Sequence, residues 1–318
     1  MALPASLRGR LRLPAIASPL FIVSNPDLVV AQCCAGVVGA FPALNARPQG
    51  ALHDWLSRIA DALAAHDAGH PDGPAAPFAV NQIVHRSNDR LAADVETCVR
   101  HRVPIVITSL GARAEVNDAV HSYGGLVFHD VTDQRFARKA VEKGADGLIL
   151  VAAGAGGHAG KQSPFALVQE TRRWFDGPIA LSGAIATGRA VLAAQVLGAD
   201  LAYIGSAFIA TAEANASDEY KRGLVAGGAG DIVYTDLFTG VHGNYLRQSI
   251  VRAGLDPDDL PRSDPSAMDF GSERPAKPWR DIWGSGQGIG SLDAVVPAAA
   301  LVDRLVAEYA SARAALAA

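Results

Sequence analysis

Charge is scarce in this chain. Asp, Glu, Lys and Arg make up 19% of its 318 residues and leave a net charge of only −4. No block of Lys or Arg interrupts that balance, so no nucleic-acid partner is expected. Cysteine is equally sparse: Cys33 and Cys34 are adjacent, Cys98 stands alone, and there is no CxxC. That excludes a disulfide framework, and no metal site is expected. No apolar run reaches the roughly 20 residues of a membrane span, so no membrane partner is expected either. Met1 to Pro14 carries Arg8, Arg10 and Arg12 without a continuous apolar core, and so does not read as a secretory signal. These absences point to a reduced, soluble, cytoplasmic protein. What the chain has in quantity is apolar residues, 49% of the total. That is enough to cover both faces of a parallel sheet. The length suits two average domains or one barrel of about 250 residues with an appendage.

From Ala15 to Gly205 one pattern repeats: a short apolar run, a helix, then a Gly or Pro break. The runs are Ala15–Phe21, Val37–Phe41, Phe78–Asn81, Pro104–Ser109, Leu126–His129, Gly147–Ala153, Pro178–Leu181 and Leu201–Ile204. Between them, helices are expected from Asn25-Pro26-Asp27 to Cys34, over Ala51–Ala65, over Asn88–Arg102 capped by Ser87, over Ala112–His121 and over Asp133–Lys143. Lys143-Gly144-Ala145-Asp146 and Leu197-Gly198-Ala199-Asp200 are the same helix-to-strand hinge written twice, which implies repeated βα units. Near-continuous apolar strands fit a sheet covered on both faces. Eight such units in series read as an α/β (β/α)8 barrel, with an open doubly wound sheet as the alternative. Residues 1–225 form the expected barrel. Residues 226–292 are irregular and are expected to act as a lid. Residues 293–318 form a final helix, and a helix is also expected over Ala207–Ala216, with a glycine-rich loop over Gly223–Asp231.

In such barrels the chemistry stands at the carboxyl ends of the strands. Those ends carry Asn81, Ser109, His129-Asp130, Gly156-Gly157-His158, Ser182-Gly183 and Gly205-Ser206. The central stretch is Gly154-Ala155-Gly156-Gly157-His158-Ala159-Gly160, between a buried strand and the helix start Ser163-Pro164. Glycines let a backbone approach a ligand closely, and imidazole is the side chain whose unperturbed pKa lies near neutrality. The same residues also fit a flexible turn with a surface His. The loop satisfies GxGxxA, yet the following strand ends Leu181-Ser182-Gly183 without the acidic residue a dinucleotide site needs. The P-loop pattern fails at Ala155 and Gln162. Ser182 to Gly188 and Gly205-Ser206 follow the last two strands, where barrels commonly bind phosphate. A cofactor with a single phosphate is the expected ligand. His53, His66, His70, His85, His101 and His121 fall on helices or loops, with the surface as their default place.

The segment from Asp146 to Phe208 resembles the nitronate monooxygenases, formerly called 2-nitropropane dioxygenases. The likeness rests on Ala155-Gly156-Gly157-His158-Ala159-Gly160, Ser182-Gly183-Ala184-Ile185 and Tyr203-Ile204-Gly205-Ser206-Ala207-Phe208. It extends to Asn81 and to Ser285-Gly286-Gln287-Gly288. The resemblance implies an FMN-dependent (β/α)8 enzyme related to the FMN-containing enoyl-acyl carrier protein reductases. It implies that His158 is the catalytic base or positions the nitro group. Gly156 and Gly157 would lie against the flavin; Ser182, Gly183, Gly205 and Ser206 would hold the FMN phosphate; and Asn81, His129 and Gln287 would complete the cofactor site. The implied substrates are a small-molecule nitronate and O2, giving a carbonyl compound and nitrite. A homodimer is left open.

Three departures from the family pattern stand out. Ser18-Pro19-Leu20-Phe21 replaces a polar pair after the first strand, Ser182 and Ala184 intervene after the seventh, and His129-Asp130 replaces the usual contact after the fifth. They point to a variant substrate pocket, with Phe21, Phe41, Tyr234, Phe238 and His242 as candidate lining. The alternatives are an NAD(P)H-dependent flavin reductase of a quinone or enoyl thioester, and a non-catalytic barrel that binds a phosphate ligand.

Overall fold

The computed structural model describes residues 3–261 and 281–317. Its strands, in chain order, are β1 (Ala15–Ala17), β2 (Gly39–Pro42), β3 (Phe78–Ile83), β4 (Ile105–Ser109), β5 (Leu126–Val131), β6 (Gly147–Val151), β7 (Gly157–His158), β8 (Ile179–Ser182) and β9 (Leu201–Ile204). All but β7 form one parallel sheet in the order β1-β9-β8-β6-β5-β4-β3-β2. A parallel bridge between Ile16 and Val38 joins its two edges. The ring is closed, and the α/β (β/α)8 barrel is the fold.

Strand periodicity of two sorts the side chains. Ile16, Ala40, Ala79, Ile107, Phe128, Ile149, Ala180 and Leu201 fill the barrel interior as one cluster. Leu7, from a short turn before β1, joins that cluster and is 1% exposed. Val80, Val106 and Val127 face outward onto the helices. The duplicated Gly-Ala-Asp hinge has a structural use. Asp146 and Asp200 each accept an amide at the start of the neighbouring strand, Val127 N at 2.7 Å and Ile179 N at 2.9 Å. An otherwise orphaned donor is thereby satisfied at the amino end of the barrel. Gly144 and Gly198 stand at φ +93° and +112°, as left-handed helix ends require.

Several expectations shift. The first strand stops at Ala17 because Pro19 has no N–H, and the chain turns there around Asn45. The third helix spans Leu91–Arg100, not Asn88–Arg102, and Ser87 is not its cap. Ser87 bonds His85 instead, while Asn88 Oδ1 accepts Arg90 N and holds a turn before the helix. The helix expected over Ala207–Ala216 is only Ser206–Ile209. Gly223 is helical, in Asp218–Ala226, at a point where a side chain would press on Gln248 and Leu246. The final helix is Ala298–Ala317; its first amide, Ala298 N, is accepted by the Glu213 carboxylate, and Leu301, Val302 and Leu305 bury against the barrel.

Three strands fall outside the eight expected runs, β7 in the glycine loop and two beyond the barrel. β10 (Ile232–Thr235) and β11 (Gly243–Leu246) form an antiparallel hairpin, and β11 also pairs with β7. The hairpin thus lies directly on the glycine loop. Much of the proline-rich stretch Asp256–Pro278, with Trp279, lies outside the described residues.

Candidate active site at the carboxyl end of the barrel

Alternation along β3, β4 and β5 turns Asn81, Ser109 and Asp130 inward, on the parity of Ala79, Ile107 and Phe128. They form a directed chain. Asn81 Nδ2 donates to Ile107 O at 3.1 Å and to Ser109 Oγ at 2.7 Å; Ser109 Oγ donates to Asp130 Oδ2 at 2.6 Å. Both amide protons of Asn81 are committed, so its Oδ1 remains an acceptor. Burial pushes the Asp130 carboxyl up to about 6, against the lowering effect of the Ser109 hydrogen bond. Burial, with the nearby Asp130 charge, also raises the Tyr203 phenol, whose hydroxyl hydrogen-bonds Ser18.

His129 sits on the opposite parity, with Val127. Its Nδ1 is 2.6 Å from Thr108 Oγ1, and burial lowers its pKa to about 4. It still borders the cavity, but the inward titrating group on this strand is Asp130. The sequence places the two side by side; only the register separates them.

The glycine loop is held from outside the barrel. A Cβ on Gly156 would lie 2.7 Å from Gly286 N, and one on Gly286 would lie 2.7 Å from Gly154 O. Close backbone approach here is therefore loop against loop, between residues 154–156 and 284–288. Gln287 N donates to Gly154 O at 2.9 Å, and Gly286 N donates to Ser206 Oγ at 2.8 Å. Asn244 Nδ2 donates to Ala155 O, Ala159 N to His242 O, and Tyr234 Oη to Ala159 O. His158 pairs with Gly243 in the small sheet, and its Nε2 lies 3.0 Å from Thr239 Oγ1. Burial lowers its pKa to about 4, so the ring is neutral at pH 7. Gln287 itself is exposed and meets the loop through its backbone.

Beside the glycine loop, β8 and β9 lead into Ser182-Gly183 and Gly205-Ser206, and Ala184 N donates to Gly154 O at 3.2 Å. Gly183 takes φ +138°, and a Cβ there would lie 2.7 Å from Ala153 O. The helix Gly188–Leu197 does not aim its start at this cradle: Gly188 N donates to the Glu308 carboxylate at 2.7 Å. An anion bound here would meet the two glycine turns and the Ser206 hydroxyl, without that helix dipole.

Floor, loop and cradle border one cavity of about 1920 Å³. Ligand pockets commonly run to roughly 300–1,000 Å³, so there is room for a large cofactor with a substrate beside it. Phe21, Tyr234, Phe238 and His242 do line it. Phe41 does not: it is fully buried on the helix side against Trp55.

The fold and the cavity define a (β/α)8 barrel with a neutral imidazole, a buried acid and two small-residue turns at one mouth. The sequence profile of the nitronate monooxygenase family matches residues 41–308. The chain belongs to that family, whose members are flavin-dependent oxidoreductases. It is 27% identical over 300 residues to a nitronate monooxygenase of Paraburkholderia phytofirmans, covering 81% of this chain and 80% of that one. It is also 27% identical over 179 residues to a hydroxy-methyl-oxo-octahydro-indene-carboxyl-CoA dehydrogenase of Mycobacterium tuberculosis, across 55% of this chain and 50% of that one. Among solved structures, a nitroalkane oxidase of Streptomyces ansochromogenes superposes with a TM-score of 0.81 at 24% identity, covering 98% of this chain and 100% of that one. Membership sets aside the non-catalytic barrel. Among the described residues, no helix is long and apolar enough to cross a membrane.

Proposed function

We propose that the chain is an FMN-dependent nitronate monooxygenase that oxidises alkyl nitronates with O2 to carbonyl compounds and nitrite. The observation that carries this reading is His158, neutral by burial, fixed by the hairpin and bordering a cavity that Ser182-Gly183 and Gly205-Ser206 also line. The residues present fit FMN. Ser182, Gly183, Gly205 and Ser206 would hold its single phosphate, Gly156 and Gly157 would border the ring system, and the acceptors of Asn81 and Asp130 would meet a polar ring edge. Bound there, the flavin would supply the electron acceptor that oxidises the substrate and passes electrons on to O2.

The protein's own part is proton handling and exclusion of water. A neutral imidazole accepts an α-proton from a nitroalkane, or donates a hydrogen bond to a nitronate oxygen, without first having to lose a proton itself. Phe21 and Phe238 give the outer cavity apolar walls around a small alkyl group. A second reading, an NAD(P)H-dependent reductase of a quinone or enoyl thioester, draws support from the cavity size and from the similarity to a CoA dehydrogenase.

The test is the visible spectrum of the FMN-loaded protein under anaerobic conditions. Propyl-2-nitronate is expected to bleach the oxidised-flavin band while NADH and NADPH leave it unchanged. The reverse pattern would overturn the proposal in favour of the reductase.

A further inference from the structure

After β1 ends at Ala17, the chain folds into a tight turn over residues 20–24, closed by Ser24 N donating to Leu20 O at 2.9 Å. The turn lines the cavity with Leu20, Phe21 and Ile22. Ile22 stands at φ +58°, a left-handed backbone that a β-branched residue rarely adopts. Such a conformation persists only where its surroundings hold it.

The holding groups come mainly from the turn after β2. Asn45 Oδ1 accepts Ile22 N at 2.8 Å, and Asn45 Nδ2 donates to Leu20 O at 2.9 Å and to Ser24 O at 2.8 Å. The amide oxygen and both amide protons of one side chain are thus spent on the backbone of this turn. Asn215 completes the hold, its Nδ2 donating to Ile22 O and its N to Val23 O, both at 2.9 Å. Two residues beyond Asn45, the Arg47 guanidinium lies over the Phe21 ring, 5.8 Å from its centroid. The turn after β2 is itself tied down. Arg90 Nη1 donates to Ala46 O at 2.9 Å and Nη2 to Ala43 O at 3.3 Å, while Nη2 also pairs with Asp94 Oδ1 at 3.2 Å. A line of bonds therefore runs from the start of the helix Leu91–Arg100 to the cavity wall.

We propose that Asn45 is a positioning residue that holds residues 20–24 as an apolar wall of the cavity, and that this wall, through Phe21, selects nitronates by the length of their alkyl chain. The selection rests on the proposed function; the role of Asn45 is read without any substrate. Each methylene laid against such a wall leaves water, a gain of about three- to fourfold in kcat/KM per carbon. Because the contact is made before and during the reaction alike, the gain appears in KM.

The test uses FMN-loaded protein. In Asn45→Ala, amide hydrogen exchange across residues 20–24 is expected to be about tenfold or more faster, with β4 and β5 unchanged. Phe21→Ala leaves the Asn45 bonds in place and is expected to exchange like wild type. In steady-state oxidation of primary nitronates from ethyl to hexyl, wild type is expected to gain about three- to fourfold per carbon. Both variants are expected to lose most of that gain at the hexyl end through KM, with a smaller loss at the ethyl end. Unchanged exchange over residues 20–24 in Asn45→Ala would overturn the role of Asn45. A wild-type series without length dependence, or a loss that is uniform along the series in both variants, would overturn the selection. If no nitronate reduces the flavin, the proposed function fails and the alkyl selection with it, while the exchange result still decides what Asn45 holds.

Discussion

The two sides of the cavity are built on opposite plans. The floor, Asn81–Ser109–Asp130, comes from three consecutive barrel strands in register, and its hydrogen bonds run between neighbouring strands. The loop that carries His158 is shaped by residues 234–246 and 284–287, far away in sequence, through main-chain pairs and the side chains of Tyr234, Thr239 and Asn244. A polar group on the floor is placed by the barrel itself, so it can change chemically while the scaffold stays put. The imidazole is placed by a hairpin that has to dock. The floor should therefore tolerate substitution and the clamp should not.

The largest effect expected is from His158→Ala, which should cost about 10²- to 10⁴-fold in turnover of a neutral nitroalkane while FMN affinity stays within a few fold. Steady-state rates and flavin titration check both halves. Because burial holds the wild-type imidazole near pKa 4, a rate limited by this base should be flat from pH 6 to 8 and fall only in more acid solution. Next comes Gly286→Ala. Its methyl would stand 2.7 Å from Gly154 O and 2.9 Å from Gly156 N, both backbone and unable to swing away. A loss of about 1–3 kcal/mol in unfolding free energy is expected, with weakened FMN binding. A neutral outcome would mean that the two loops are not in firm contact.

The floor offers the opposite sign. Asp130 has a folded pKa raised from 3.8 to about 6, so the native state holds its proton more tightly than the unfolded chain and stability falls as pH rises through that window. Asp130→Asn should accordingly stabilise the cofactor-free protein by about 1–3 kcal/mol at pH 8. The gain should disappear below pH 4, and denaturant unfolding at the two pH values reads the difference directly. Smallest is Tyr234→Phe, which removes one half-exposed hydrogen bond to Ala159 O. About 0.5–1 kcal/mol is expected in thermal unfolding.

The same contrast explains what was legible in the sequence. Barrel strands, glycine hinges and strand-end residues are local features with a fixed period, so the eight-unit count and the positions of Asn81, Ser109 and His158 could be read directly. Strand parity was not readable: His129 and Asp130 stand together in the sequence, and a single step of alternation turns Asp130 inward and His129 toward Thr108, with both bordering the cavity. The glycines of residues 154–156 read as an approach to a ligand; that they also meet residues 285–287 had no local signal. β10 and β11 carry little signal because Ile232–Thr235 and Gly243–Leu246 are short, and the pairing of β11 with Gly157–His158 spans some 80 residues. Thr239 carried no local signal at all.

The most direct test of the central claim compares a neutral nitroalkane with its preformed nitronate in anaerobic stopped-flow reduction of the FMN-loaded protein, for wild type and His158→Ala. If His158 removes the α-proton, the variant should lose flavin reduction by the neutral nitroalkane and retain most of it with the nitronate, which has no such proton to give. Equal losses with both substrates, or none with either, would contradict the assignment of His158 as the base.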